Sequence, residues 1–387
     1  MIFSKKNIKS VSIIILNFFV LVYVIEFVLF LTPNSIYASF QSKTNSFDTR
    51  IKLEVINDLR KKNSNVYPLY IPSYYLNRKT ENHLFPISGV SDSINVVCNE
   101  TGEWFVYSSD EFGFNNSNKD WKKKIDIAVL GDSFALGECV NNNFLELIKK
   151  NTNKNILNLG VSGSGPLIQL AIFREYLKIH KPKKIIIFFF YNDFYEFENE
   201  TKNIVLKKYL ENKNFSQKLI MQNKKVEYIK KKRLDLEEAN FKEESISYSL
   251  LKFLKISKFR QLANLTLDKN SKKKPNCSEF IFRDNYNTDI VQVYDSIKKE
   301  IKENGGELII INLPSYFSIF CNNSDFENMI SSLKDLLELK NIKFIDMTNT
   351  LKNKKNKLFA YPYFGSHYSK IGNEILFNEL IDKLKIN

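Results

Sequence analysis

Histidine is scarce in this chain: His83, His180 and His367 are the only three in 387 residues. The four cysteines include no pair at CxxC spacing, so a metal or redox centre has little support, and no metal ligand set is assigned. No internal repeat is present. The one Gly-rich loop, Gly160-Val161-Ser162-Gly163-Ser164-Gly165, lacks a following Lys-Ser/Thr and does not fit GxGxxG. A nucleotide site there is the weakest of the readings open, and would show as stabilisation by ATP or NAD. Acidic residues are outnumbered 43 to 57, which gives a net charge of +14. The surplus is local: residues 201–275 hold 20 Lys/Arg against 8 Asp/Glu. Such a stretch reads as a solvated helical surface, or as one that attracts an acidic polymer or anionic headgroups.

What the chain does have is a long apolar run near its start. Residues 11–31 are interrupted only by Asn17 and Glu26, enough to span a hydrocarbon core. Lys5, Lys6 and Lys9 precede it, which places residues 1–10 in the cytoplasm and exports the rest. This predicts a single-pass membrane protein with its main domain on the exported side, where nucleic acid is not a partner. A signal peptide cleaved after Ser35-Ile36-Tyr37-Ala38 is the alternative, with the same exported product. In an oxidising compartment four cysteines suit disulfides. Three pairings exist. Cys98–Cys139 with Cys277–Cys321 is favoured, with buried free thiols as the alternative.

The length allows one large domain with decorations or two modest ones. Residues 32–122 read as a juxtamembrane subdomain with a short helix at 57–62. It also holds a hairpin, 94–98 and 103–108, around Asn99-Glu100-Thr101-Gly102. From residue 123 the pattern becomes strand, loop, helix. Strands are expected at 126–130, 155–159, 184–190, 307–313 and 342–345. Helices are expected at 143–150, 166–180, 288–304, 325–339 and 370–385. The alternation predicts an α/β fold with a doubly wound parallel sheet of about five strands. The Lys-rich stretch at 201–279 reads as a helical insertion, with an apolar face over 248–254.

Four loops at the carboxyl edge of that sheet carry polar residues, and ligands bind at that edge in open α/β sheets. After the first core strand come Gly131-Asp132-Ser133. The glycine permits a sharp exit, and the aspartate can hydrogen-bond the turn. Ser133 then sits among unpaired N–H groups at a helix start, which suits a nucleophile whose reaction develops an oxyanion. In the second loop Gly163 can offer a backbone N–H to that oxyanion, or simply make a tight turn. In the third, Tyr191-Asn192-Asp193, the Asn192 amide can donate to the same place, or cap a helix. The fourth, Gly365-Ser366-His367-Tyr368-Ser369, holds the one histidine that enters a helix late in the sheet. His83 lies in the juxtamembrane region, and His180 closes a helix.

In order and spacing these four blocks resemble the SGNH (GDSL-like) hydrolase superfamily, over residues 125–387 excepting the insertion. The stretches Asn-Glu-Thr-Gly and Asp-Glu-Phe-Gly-Phe-Asn-Asn look like the leader of membrane-anchored bacterial members. The resemblance implies a three-layer sandwich. It implies Ser133 as nucleophile, His367 as general base, and Ser133, Gly163 and Asn192 as oxyanion donors, with Asp132 supporting the turn. It also implies an acyl-Ser133 intermediate, no cofactor, and an acylated, possibly acidic envelope or exported glycan as substrate of an esterase or O-acyltransferase. Oligomeric state is left open. One feature departs from the family. An aspartate usually stands two or three residues before the histidine, where this chain has Gly365 and Phe364. Three explanations are open. A carbonyl completes a Ser133–His367 dyad, or a distant acid (Glu138, Asp193 or Asp346) fills the place. Otherwise the site is degenerate and the protein only binds glycan or assembly partners.

Overall fold

The computed structural model describes residues 5–31, 48, 50–78, 83–254, 256, 259, 286–321, 324–354, 360, 361 and 367–385, with side chains omitted at 5–11, 30 and 239–252. Residues 35–38, Cys277, Phe364, Gly365 and most of the expected apolar face at 248–254 lie outside that description. The chain forms two compact units.

The first unit is Met1–Thr49 with Asp235–Lys274. Helix α1 (Lys5–Leu31) contains an apolar stretch, Ser12–Leu29, long enough to cross a membrane; a signal sequence would meet the same criterion. Polar and aromatic residues on one side of α1 are occupied within the unit. Tyr23 and Phe27 pack against Phe253, and the buried Glu26 accepts a hydrogen bond from the Phe259 backbone at 2.6 Å.

The second unit is Arg50–Leu234 with Pro275–Asn387, and it holds both sheets. Helix α2 (Lys52–Arg60) begins five residues before the expected 57–62. Val55, Ile56 and Leu59 make an apolar face that packs on Val66 and Val96, and Glu54 accepts from the Ile51 N–H to fix the start. The small sheet follows: β1 (Val66–Pro68), β2 (Ile94–Cys98) and β3 (Phe105–Ser108). β1 runs parallel to β2, and β2 pairs antiparallel with β3 across the turn 99–104.

The large sheet comprises β4 (Ile127–Gly131), β5 (Ile156–Asn158), β6 (Lys184–Phe189), β7 (Glu307–Asn312) and β8 (Lys343–Asp346). All are parallel, in the order β5-β4-β6-β7-β8. The strands are continuous apolar runs because both faces are covered. Alternate residues divide between two cores. Ala128, Leu130, Ile185, Ile187 and Ile310 face one, with Leu167, Leu170, Tyr294 and Leu333. Ile127, Val129, Ile186, Phe188 and Ile311 face the other, with Phe144, Ile148, Leu376 and Leu380. The result is a three-layer α/β sandwich.

The helices that follow β4 in the chain are α3 (Ser133–Leu136), α4 (Phe144–Asn151), α5 (Pro166–Ile172), α6 (Asp193–Glu200), α7 (Ile204–Glu211), α8 (Asn223–Leu254, of which only residues up to Leu234 belong to this unit), α9 (Asn287–Lys302), α10 (Tyr316–Phe320), α11 (Ser324–Leu339), α12 (Thr348–Lys352) and α13 (Lys370–Leu384). The helix expected at 166–180 is regular only through α5; Phe173–Leu177 widen into a π turn, and Lys178–His180 tighten into a 3-10 turn. Within the wide turn the buried Arg174 binds Glu300 at 2.7 Å and Glu175 accepts from the Leu219 backbone at 2.8 Å. The chain leaves β4 for β5 on one side and returns to β6 on the other. A crevice therefore opens at the carboxyl ends of β4 and β6.

Candidate active site

The site starts at the end of β4. Gly131 has φ +142°, and a Cβ there would stand 2.7 Å from the Phe188 carbonyl, so only glycine lets the strand turn at once into α3. Asp132 occupies the cap. One carboxylate oxygen accepts from the Phe134 N–H and the other from Asn192 Nδ2, both at 2.9 Å. This second bond ties the loop after β4 to the loop after β6. Burial pushes the Asp132 carboxyl up, against the pull of these bonds and of His367. Ser133 is 8% exposed. Among the described residues its hydroxyl has no hydrogen-bond partner, and neither its N–H nor that of Gly163 donates to a backbone or side-chain acceptor.

Asn158, at the end of β5, holds the second loop in place. It donates to the Leu136 carbonyl at 3.3 Å and accepts from the Gly160 N–H at 2.9 Å. Asn116 clamps its backbone from the small-sheet side at 2.7 and 2.9 Å. Asp110 anchors that stretch by accepting from Phe112, Phe114, Asn116 and Trp121. Gly163 has φ +65°, and a Cβ would lie 2.3 Å from Ser73 Oγ. Asn192 spends one N–H on Asp132, while its buried Oδ1 has no partner. Its second amide N–H, like the Ser133 and Gly163 backbone N–H groups, donates to no group among the described residues.

His367 reaches this place on the segment before α13. Its ring lies 5.1 Å from that of Phe134, the residue after Ser133, and Phe134 also contacts Tyr368 and Phe190. Tyr368 and Tyr361 both donate to the Pro314 carbonyl at 2.6 Å, which fixes the segment. No hydrogen bond joins Ser133 to His367; such bonds commonly close only when substrate is present.

The acid beside His367 is Glu100. Its Oε1 lies 3.0 Å from Nδ1, and its Oε2 accepts from the His367 backbone N–H at 3.0 Å. Glu100 stands in the turn between β2 and β3. That turn is tied to the serine loop twice: Cys98 and Cys139 form a disulfide, and Thr101 Oγ1 donates to the Cys139 carbonyl at 2.9 Å. The Cys139 sulfur is also 3.6 Å from Nδ1. Cys321 is disulfide-bonded too, and Cys277 lies outside the described residues.

None of the three acids considered from the sequence takes that position. Glu138 faces the opposite ring nitrogen, with Oε2 3.7 Å from Nε2. Asp193 is buried beneath the site, where it accepts from Phe190 N and Gln169 Nε2, and its carboxyl is held well above the usual range by burial and Asp132. Asp346 ends β8 and accepts from the Asn312 amide and from the Thr348 N–H and hydroxyl. The signal for Glu100 was present in the cysteines: a bridge from Cys98 to Cys139 brings residue 100 to the loop after Ser133. His83 is exposed, and His180 packs on Trp121, away from the site.

The electrostatics follow from this arrangement. Burial disfavours the imidazolium, but the Glu100 bond and the charges of Glu138, Glu100 and Asp132 together raise the His367 pKa above its usual value. A carboxylate on Nδ1 fixes the tautomer with a proton there and leaves Nε2 as base. Glu138 is pushed up chiefly by burial, against the pull of His367 and the Ser162 hydroxyl. Glu100, Cys139 and His367 lie within ligand distance of one another, but the sulfur is spent in the disulfide and cannot serve as a thiolate.

No family model and no curated protein matches the chain. Solved structures similar to it include a lipase/acylhydrolase from Enterococcus faecalis, at 13% identity and TM-score 0.35 over 67% of this chain and 96% of that one. Another is a catalytic mutant of an acetylxylan esterase from Geobacillus stearothermophilus, at 14% identity and TM-score 0.36 over 68% and 98%. Superposition at that level carries no argument about chemistry, which rests on the geometry above.

Proposed function

We propose that the protein is a serine acyl-ester hydrolase or O-acyltransferase, anchored in the bacterial inner membrane by α1 and acting on an acylated envelope or exported glycan. The observation that carries the chemistry is the Glu100–His367 pair at 3.0 Å, with the imidazole lying on the residue beside Ser133. Ser133 Oγ attacks the acyl carbon and its proton passes to His367 Nε2. The N–H groups of Ser133, Gly163 and Asn192 hold the oxyanion. The bond to the alcohol breaks as Nε2 returns the proton to the leaving oxygen, which leaves an acyl-Ser133. Water or a sugar hydroxyl then gives a proton to Nε2 and attacks the acyl carbon, and the bond to Oγ breaks as Nε2 returns that proton to Ser133. The apolar run and its flanking lysines support export, and the resemblance of the four blocks supports an acyl substrate. The test is labelling of the full-length protein in detergent by a fluorophosphonate probe. Wild type is expected to label, with Ser133→Ala blank; equal labelling of both refutes the mechanism.

The absence of an aspartate two or three residues before His367 favours a second reading, a binding protein that retains the fold. It predicts glycan binding that survives both Ser133→Ala and His367→Ala, with no activity on simple acetyl esters.

A further inference from the structure

The mechanism above leaves one carboxyl in the site unused. Glu138 is 7% exposed; its Oε1 is buried without a hydrogen-bond partner, its Oε2 faces His367 Nε2 across 3.7 Å, and the Ser162 hydroxyl beside the carboxyl favours its charged form. That gap is too long for a hydrogen bond. A buried polar atom without a partner is costly, and such atoms in native structures need a reason. The loop is already held by the disulfide at Cys139 and by the bond from Thr101 to the Cys139 carbonyl. The imidazole is already oriented by Glu100 through both its ring and its backbone.

Position narrows the purpose. Nε2 must exchange its proton with the alcohol oxygen of the ester, so that oxygen sits within hydrogen-bond reach of Nε2 during the reaction. A group 3.7 Å from Nε2 is then within reach of an atom close to that oxygen, on the alcohol side of the ester and not the acyl side. In a partly acylated sugar the polar atom in that position is the neighbouring hydroxyl. We infer that Glu138 recognises the free hydroxyl adjacent to the ester, and so selects monoacylated vicinal diols over isolated or fully acylated esters. A site that leaves a buried polar group unpaired when the hydroxyl is absent rejects the lacking analogue strongly. The inference rests on the serine-esterase reading and adds the class of alcohol. Glu100 and Asp132 also act on His367.

The test compares 2-hydroxyethyl acetate with 2-methoxyethyl acetate and ethyl acetate, using full-length wild type, Glu138→Gln and Glu138→Ala. The fluorophosphonate probe reports Ser133 reactivity in parallel. Wild type is expected to favour the hydroxyl-bearing ester at least tenfold in kcat/KM. Glu138→Ala reduces that ratio to about threefold or less, and Glu138→Gln, which retains a carbonyl oxygen, falls between. A merely structural role lowers all three esters together and leaves the ratio unchanged, which overturns the inference. So does a wild type that shows no preference. Failure of Ser133 to label and turnover of none of the esters refutes the esterase reading itself, which is a separate outcome.

Discussion

Replacing Glu100 by glutamine removes a charge and keeps the shape. In the native site the carboxylate accepts from Nδ1 and from the His367 backbone, each at 3.0 Å. When Nε2 takes the serine proton the ring becomes cationic beside that carboxylate. Two unit charges about 4 Å apart at an effective dielectric of about 20 attract by about 4 kcal/mol, an upper figure before desolvation. A charge-assisted hydrogen bond gives a lower figure, about 2 kcal/mol. At about 1.4 kcal/mol per decade these bracket a loss of about 30-fold to about 1000-fold in kcat. The amide can also donate to Nδ1 and favour the wrong tautomer, which adds to the loss. The pH profile carries a second signature. Glu100 raises the His367 pKa, and a base works only when unprotonated, so activity rises with pH through that pKa. Without Glu100 the rising limb moves to lower pH while the plateau falls. Steady-state kinetics on an acetyl ester between about pH 5 and 9, which brackets the ordinary histidine range, measure both. A plateau within twofold of wild type, with the limb unmoved, would show that Glu100 is not the working acid.

Asn192→Ala deletes the proposed oxyanion donor and the partner of Asp132, so kcat is expected to fall about 100- to 1000-fold with KM little changed; an equal rise in KM would point to lost substrate binding instead. Replacing Cys98 and Cys139 together by serine opens a bridge spanning 41 residues, for which chain entropy suggests up to about 4 kcal/mol of stability, read by urea unfolding. The same variant should lose activity at temperatures where it is still folded, because the Glu100 turn is released. Asn158→Ala breaks the link between the second loop and α3 and should cost about 1–3 kcal/mol in thermal unfolding.

The large sheet was legible because its strands are buried on both faces and read as uninterrupted apolar runs such as Lys184–Phe189. Boundaries at 143, 166 and 370 were marked by local chemistry: the Asn143 cap, Pro166 in a first turn, and the Ser369 cap. The start of α2 was misread because its signal is the apolar face of Val55, Ile56 and Leu59, visible only against Val66 and Val96. In the site, Ser133, Gly163, Asn192 and His367 lie in loops that follow strands or precede a helix, where topology alone brings residues together. Glu100 does not. It lies on a turn of the other sheet, and no periodicity connects residue 100 to residue 367. Only the sulfur bridge records that proximity, so the reading that weighed Glu138, Asp193 and Asp346 passed over it.

The disulfide at Cys98 carries the site beyond the five-stranded sheet. A fragment cut at the first strand of that sheet would leave the imidazole without its carboxylate, and would also strip Tyr70, Phe85, Phe114 and Trp121 from the core they share with the sheet. Trimming to the five strands and their helices would therefore open the interior as well as the site, and the shortest competent piece has to begin upstream of residue 70.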